Sequence, residues 1–190
     1  NLGAHYSNIN HPNFNLVQQA TSATDFRAYG SLFQFGRKPD GHELINYTSA
    51  TAGTAVNGTT TTRNDNPTNA LFIINSTVPD YEWRINVDNT LWNSVNSPNN
   101  PCPIGFRVPT ITEVNTYITA ASITNLSTAF NSILKFPAAG NRTNVSGSIV
   151  VGSNSYNWSS SNSYYFGSTF QGNSALDYKA QGFAVRCIRN

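Results

Sequence analysis

The sequence has little charge. Charged residues make up 11% of its 190 positions and the formal net charge is +2, whereas a typical chain is roughly one-quarter charged. A nucleic-acid binder shows a basic patch or stripe, and no such run of Lys or Arg occurs. Nucleic acid is therefore not an expected partner. No apolar run approaches the roughly 18 residues of a membrane helix, so membrane insertion is not expected. Solubility must come from neutral polar groups, and Asn, Ser and Thr together supply about a third of the chain.

The usual catalytic signatures are also missing. His5, His11 and His42 are the only histidines, and none belongs to an HExxH-type zinc pair. No Gly-x-Ser-x-Gly, P-loop or dinucleotide fingerprint is present. The nine acidic residues are scattered, and no two stand out as the matched carboxylates of a glycosidase. Asp65 and Asp88 offer oxygen ligands, but their spacing matches no known calcium loop. The expectation is a protein without catalysis, metal or cofactor.

Cysteine is nearly absent. Cys102 and Cys187 are the only two, 85 positions apart, which is not metal-ligand spacing. Two readings stand: a disulfide tying the loop before a helix to the last strand, or two buried thiols. A disulfide closing so long a loop is worth roughly 4–5 kcal/mol in the chain-entropy model. The scarcity of cysteine and lysine favours an oxidising, secreted or surface setting, and with it the disulfide.

The length suits one domain over residues 1–190, large enough to bury a real core. Aromatic residues reach 12%, which argues against a disordered chain. The stretch 28–44 alternates in part and ends in the turn signal Pro39-Asp40-Gly41. Residues 46–69 have almost no large apolar side chains and read as a long polar loop. LFIINS (71–76) is a short strand candidate, and DYEWRINVDNTLW (80–92) carries two tryptophans. Thr110 and Glu113 form a capping box, with Ile111, Val114, Ile118 and Ala121 following at helical spacing. A second helix is expected over about 125–134, from Leu126, Ala129, Phe130, Ile133 and Leu134. From Ser148 onward short strands dominate. Loops and strands, two central helices, then strands indicate α+β.

Seven Asn-x-Ser/Thr sequons occur, about as many as this composition gives by chance, so they carry little weight as glycan acceptors. The more informative surface segment is 153–178, SNSYNWSSSNSYYFGSTFQGNSALDY. Tyr and Trp offer stiff contact area, while Ser, Asn and Gly offer adaptable hydrogen bonding, as in antibody binding loops. Such aromatics also stack on sugar rings. Asn157, Trp158, Asn162, Tyr164, Tyr165, Phe170, Asn173 and Tyr178 are the candidate ligand-binding residues. A solvated strand edge with Trp158 in the core is the plainer alternative.

Several stretches occur together in an order that resembles one family: NLGA (1–4), YGSLFQFGRKPDGHEL (29–44), LWNSVNSPNNPCPIGFRVPTITE (91–113), LKFPAAGNR (134–142), YNWSSS (156–161) and GFAVRCI (182–188). This is the order of the Fibrobacter succinogenes major paralogous domain, common in surface and secreted proteins of Bacteroidetes. The resemblance implies a C-type-lectin-like fold shared with formylglycine-generating enzymes: two helices, an irregular twisted, mostly antiparallel sheet, long loops and neighbouring termini. It also implies that a Trp-containing strand precedes Asn1, so the chain is expected to be a fragment of a longer polypeptide. The cysteines match the family's structural positions, so enzymatic activity does not carry over. In some proteins of this fold, diversified residues lie just before the last strand, where 153–178 falls. The resulting expectation is an extracellular, cell-surface or secreted binding module for a glycan or protein ligand, as an adhesin or a virion tail tip. The alternative is a structural domain of a filament or large secreted protein that contacts neighbouring subunits.

Overall fold

The computed structural model describes residues 1–77, 81–174 and 178–190. The first half of the chain supplies β1 (Phe33–Gln34), β2 (Ile45–Ser49), β3 (Ala52–Ala55), β4 (Thr59–Thr60), β5 (Phe72–Ile73) and β6 (Phe106–Arg107). The helices α1 (Ile111–Ala120) and α2 (Leu126–Asn131) follow. The remainder supplies β7 (Asn141–Arg142), β8 (Ile149–Val150), β9 (Ser155–Trp158), β10 (Ser163–Phe166), β11 (Gln171–Ser174), β12 (Gly182–Val185) and β13 (Ile188–Arg189).

Seven strands form one sheet in the order β11-β10-β9-β12-β7-β8, with β1 also paired to β12. The pairs β13-β6, β2-β3 and β4-β5 stand apart from it. Among the described strands, only β9–β12 and β4–β5 pair in parallel; the other pairs are antiparallel. The result is a mixed α/β domain with two helices and mostly strands.

The start of α1 is set locally. Thr110 Oγ1 accepts the N–H of Glu113 at 3.2 Å, and the Glu113 carboxylate accepts the N–H of Thr110 at 2.9 Å. Two orphan donors are thereby satisfied reciprocally. Arg107 clamps the same carboxylate at 2.7 and 2.8 Å. That pair and the Thr110 bonds hold the Glu113 carboxyl down at about 2. Val114 and Ile118 face inward against Phe136, Tyr164 and Phe166.

The second helix is shorter than the apolar spacing predicts. It is capped by Asn125 and ends at Asn131, where Ser132 turns extended. Ile133 and Leu134 are exposed. The chain leaves the helix early because it folds back: Lys135 takes φ +50°, and Phe136 N–H reaches the Ala129 carbonyl at 3.3 Å. Phe136 thus fills the space beneath both helices.

The stretch 46–69 is not a loop throughout, contrary to its composition. It contains the β2–β3 hairpin and β4. One residue anchors it: Tyr47 is buried, packs edge-on against Tyr29 at 5.3 Å and donates its hydroxyl to the Gly30 carbonyl at 2.8 Å. The partial alternation of 28–44 likewise gives no exposed face, because Leu32, Phe33, Gln34 and Phe35 are all buried.

The three tryptophans are core. Trp83, Trp92 and Trp158 are each at most 1% exposed. Their indole N–H groups donate to the carbonyls of Phe35, Asn99 and Phe33 at 2.7, 2.8 and 2.7 Å. Buried indoles need such partners. Cys102 and Cys187 form a disulfide, packed against the cluster of Phe33, Phe35, Trp92, Trp158 and Phe183. The opening residues lie against β12, where Leu2 N–H donates to the Val185 carbonyl at 2.9 Å. No helix among the described residues is long and apolar enough to cross a membrane.

Candidate functional site

Strand geometry divides residues 155–166 of the segment 153–178 between two faces; residues 175–177 of that segment lie outside the described residues. Successive side chains on a strand point to opposite sides. In the β9–β10 register Tyr165 pairs with Tyr156 and Ser163 with Trp158, while Tyr164 pairs with Asn157 and Phe166 with Ser155. Tyr164 and Phe166 face the helices. Tyr156, Trp158 and Tyr165 face the other way.

On that second face the aromatic rings form a row across the sheet. Phe170 meets Tyr165 at 5.5 Å, Tyr165 meets Tyr156 at 5.8 Å, Tyr156 meets Phe183 at 5.2 Å, and Phe183 meets Trp158 at 4.5 Å. The row runs from exposed Phe170 to buried Trp158. It borders a cleft of about 300 Å³ lined by Tyr156, Ser163, Tyr165, Tyr178, Gln181 and Asn141, with Trp158 and Phe183 at its base. The Asn141 side-chain amide donates to Gln181 Oε1 at 3.4 Å. Among the described residues, no Asp, Glu, His, Lys, Arg or Cys lines the cleft.

One wall of the cleft is held under strain. Tyr178 packs against Tyr81 with ring centroids 4.5 Å apart and the rings tilted by 32°. Tyr81 adopts φ +38°, which is costly for a residue with a Cβ; such outliers cluster at functional sites. Its backbone is also tied down, since the Tyr81 carbonyl accepts the N–H of Ala180 at 2.8 Å.

The eight candidate ligand-binding residues therefore separate. Tyr165 and Tyr178 line the cleft, and Phe170 extends the row at its exposed end. Asn162 sits half-buried in the β9–β10 turn, where its N–H donates to Ser159 Oγ at 2.9 Å. Asn173 is exposed on the helix side and its amide donates to Asn115 Oδ1 of α1 at 2.8 Å. Asn157, Trp158 and Tyr164 are interior residues, at most 1% exposed, and are not presented to a surface ligand. The correction has a plain cause: Tyr164 packs under the helices with Phe136 and Phe166, Trp158 packs with Phe33, Phe35 and Phe183, and Asn157 is buried on β9 between β10 and β12. Tyr81, Asn141, Tyr156, Gln181 and Phe183 belong to the site but were not candidates from sequence. Tyr156 was within reach of a period-2 count from Trp158; the others come from distant parts of the chain.

A second cluster of titratable side chains lies between β1 and β2. Ligand atoms of Asp40, His42 and Glu43 lie within 4.8 Å of one another. These atoms already serve the turn between β1 and β2. His42 Nε2 accepts the N–H of Gln34 at 3.1 Å, and its Nδ1 faces Asp40 Oδ1 at 2.7 Å. Asp40 also takes the Arg37 guanidinium at 2.8 Å, and Glu43 takes the N–H of Gly41 at 3.0 Å. Burial pushes the His42 imidazole down to about 4, against the opposing pull of Asp40. This neutral imidazole is a structural bracket with both nitrogens committed.

The cleft thus offers stacking surface together with amide and hydroxyl groups from its strands and their neighbouring loops. The chain matches no protein-family model, no curated protein and no solved structure, so the geometry of this cleft is the ground on which its function must be read.

Proposed function

We propose that the protein is a non-catalytic extracellular binding module that grips a glycan or protein ligand on another surface through the Phe170–Tyr165–Tyr156 row and the adjoining cleft. The observation that carries this reading is the aromatic cleft itself, whose described lining is uncharged and includes Tyr165 and Tyr178. Pockets of this kind combine apolar walls with a few placed polar groups. The disulfide fits an oxidising compartment. The same reading takes the fold as C-type-lectin-like and the chain as akin to the Fibrobacter succinogenes major paralogous domain. Two helices beside a mostly antiparallel sheet, and Leu2 lying against Val185, support that assignment.

The test is binding of the purified chain to a glycan array and to immobilised surface proteins, alongside Tyr165→Ala and Tyr178→Ala. Both side chains are partly exposed, so their loss spares the core. Each variant is expected to lose roughly tenfold or more in affinity, as aromatic anchors do. Equal binding by all three proteins would place the ligand elsewhere.

A further inference from the structure

A separate cavity lies on the opposite face of the same strands. It has a volume of about 300 Å³ and runs between α1 and β13, walled by Val114, Ile118, Leu134, Phe136, Tyr164 and Ile188. Across Leu134, Arg186 and Cys187 it adjoins a second hollow of about 340 Å³ that reaches Leu2, Pro103 and Phe106. Together they make one elongated groove passing over the disulfide, within the roughly 300–1,000 Å³ range of small-molecule sites.

The polar groups of its wall are few and largely engaged. Tyr117 Oη accepts the N–H of Leu134 at 3.2 Å, and the Glu113 carboxylate is held by Arg107. Arg186 is different. It sits where the two hollows meet, with its guanidinium over the Phe136 ring at 4.4 Å. It donates to the carbonyls of Leu134 and Lys135 and to Asn1 Oδ1. Guanidinium has five N–H donors, and these contacts use three. Among the described residues no carboxylate pairs with it. Burial lowers its pKa, as expected for a cation without a counter-ion. The groove is therefore apolar along its length and cationic at its middle.

We propose that this groove binds a free fatty acid, with the carboxylate on Arg186 and the acyl chain against Leu134, Phe136 and Ile118. Charge complementarity selects the head: a carboxylate fits the two remaining guanidinium donors as a charge-assisted pair. The walls select the tail. A peptide would bring backbone N–H and C=O groups that these side chains cannot satisfy, at a desolvation cost. An acyl chain brings none.

The experiment is calorimetric titration of the intact chain with monomeric dodecanoate and with 1-dodecanol, which has the same tail without the charge. The wild type is expected to bind dodecanoate at least tenfold more tightly. Arg186→Gln brings the two ligands to within about twofold, and Arg186→Lys keeps part of the difference. Because Arg186 also braces Leu134 and Lys135, each variant is checked by thermal melting. Leu134→Asp keeps the test independent of the fold: its side chain walls the groove but is 39% exposed, and the change abolishes binding of both ligands. The proposal is overturned by the absence of saturable dodecanoate binding, by equal affinity of the wild type for acid and alcohol, or by Leu134→Asp leaving affinity intact. Adhesion to phosphatidylglycerol vesicles, or capture of a hydrophobic peptide, without binding of monomeric dodecanoate would also overturn it.

Discussion

The ring of Tyr165 lies over Gly172, its partner across the β10–β11 pair: a Cβ on Gly172 would stand 2.8 Å from Tyr165 Oη. The glycine makes room for an aromatic ring to lie along the sheet instead of standing on it. Its φ is not in the left-handed region, so alanine there is strained by the ring alone. Gly172→Ala is expected to tilt Tyr165 out of the aromatic row. Ligand affinity should fall by about fivefold, the equivalent of roughly 1 kcal/mol. Melting should hardly change, because alanine in a strand costs less conformational entropy than glycine. Unchanged affinity with a displaced ring would remove Tyr165 from the binding face.

Trp158 behaves oppositely. It is 1% exposed, and its indole donates to the Phe33 carbonyl across 125 residues of sequence. Trp158→Ala is expected to cost about 3–5 kcal/mol through the cavity it leaves, a drop in Tm of roughly 10 °C for a chain of this size. Any loss of binding would then follow the loss of folding. Thermal melting beside the binding assay separates the two: a stable Trp158→Ala protein with lost affinity would return Trp158 to the ligand surface.

These two residues show what the sequence could and could not carry. The helix α1 was legible because Thr110 and Glu113 act within one turn of chain. The end of α2 was not: apolar spacing continues to Leu134, but Phe136 is drawn back into the core and stops the helix at Asn131. The hairpin at 45–55 was hidden by its Thr-rich composition, although β-branched residues suit an exposed strand. In YNWSSSNSYYF the alternation is visible. Which residues meet solvent is not, because Tyr156 and Trp158 share one face of β9, yet Trp158 is buried and Tyr156 is partly exposed. Asn141 and Gln181 reach the cleft, and Tyr81 supports its Tyr178, through contacts distant in sequence that no local pattern announces.

The disulfide joins the loop before β6 to the segment between β12 and β13, across 85 residues. Its partners in the core, Trp92, Val108 and Trp158, come from well-separated parts of the chain. Reduction, or paired Cys102→Ala and Cys187→Ala substitution, is expected to lower stability by about 4–5 kcal/mol by freeing a long loop in the unfolded chain. Urea unfolding with and without reductant measures this. A midpoint that does not move on verified reduction would mean that the core alone fixes this joint.

His42 sets a pH limit on the fold. It is fully buried, and Nε2 accepts the N–H of Gln34, so a proton on that nitrogen would face another donor. Arg37 and Arg142 add repulsion, while Asp40 pulls the other way, and the balance puts the imidazole at about 4 against an ordinary 6.5. Since the folded value is lower, the unfolded chain binds the extra proton first. Stability from this group is complete above about pH 6.5 and is lost as pH falls toward 4. The full loss is roughly 3 kcal/mol, at about 1.4 kcal/mol per pKa unit. Glu43, whose carboxyl is raised by burial, works against part of this loss, and Asp40, whose carboxyl is lowered, adds to it at the acid end. An NMR titration of the His42 ring is expected to show a midpoint near 4 while the urea midpoint declines between pH 7 and 4.5. A ring midpoint at 6.5 or above would show that the Gln34 contact does not hold the imidazole neutral.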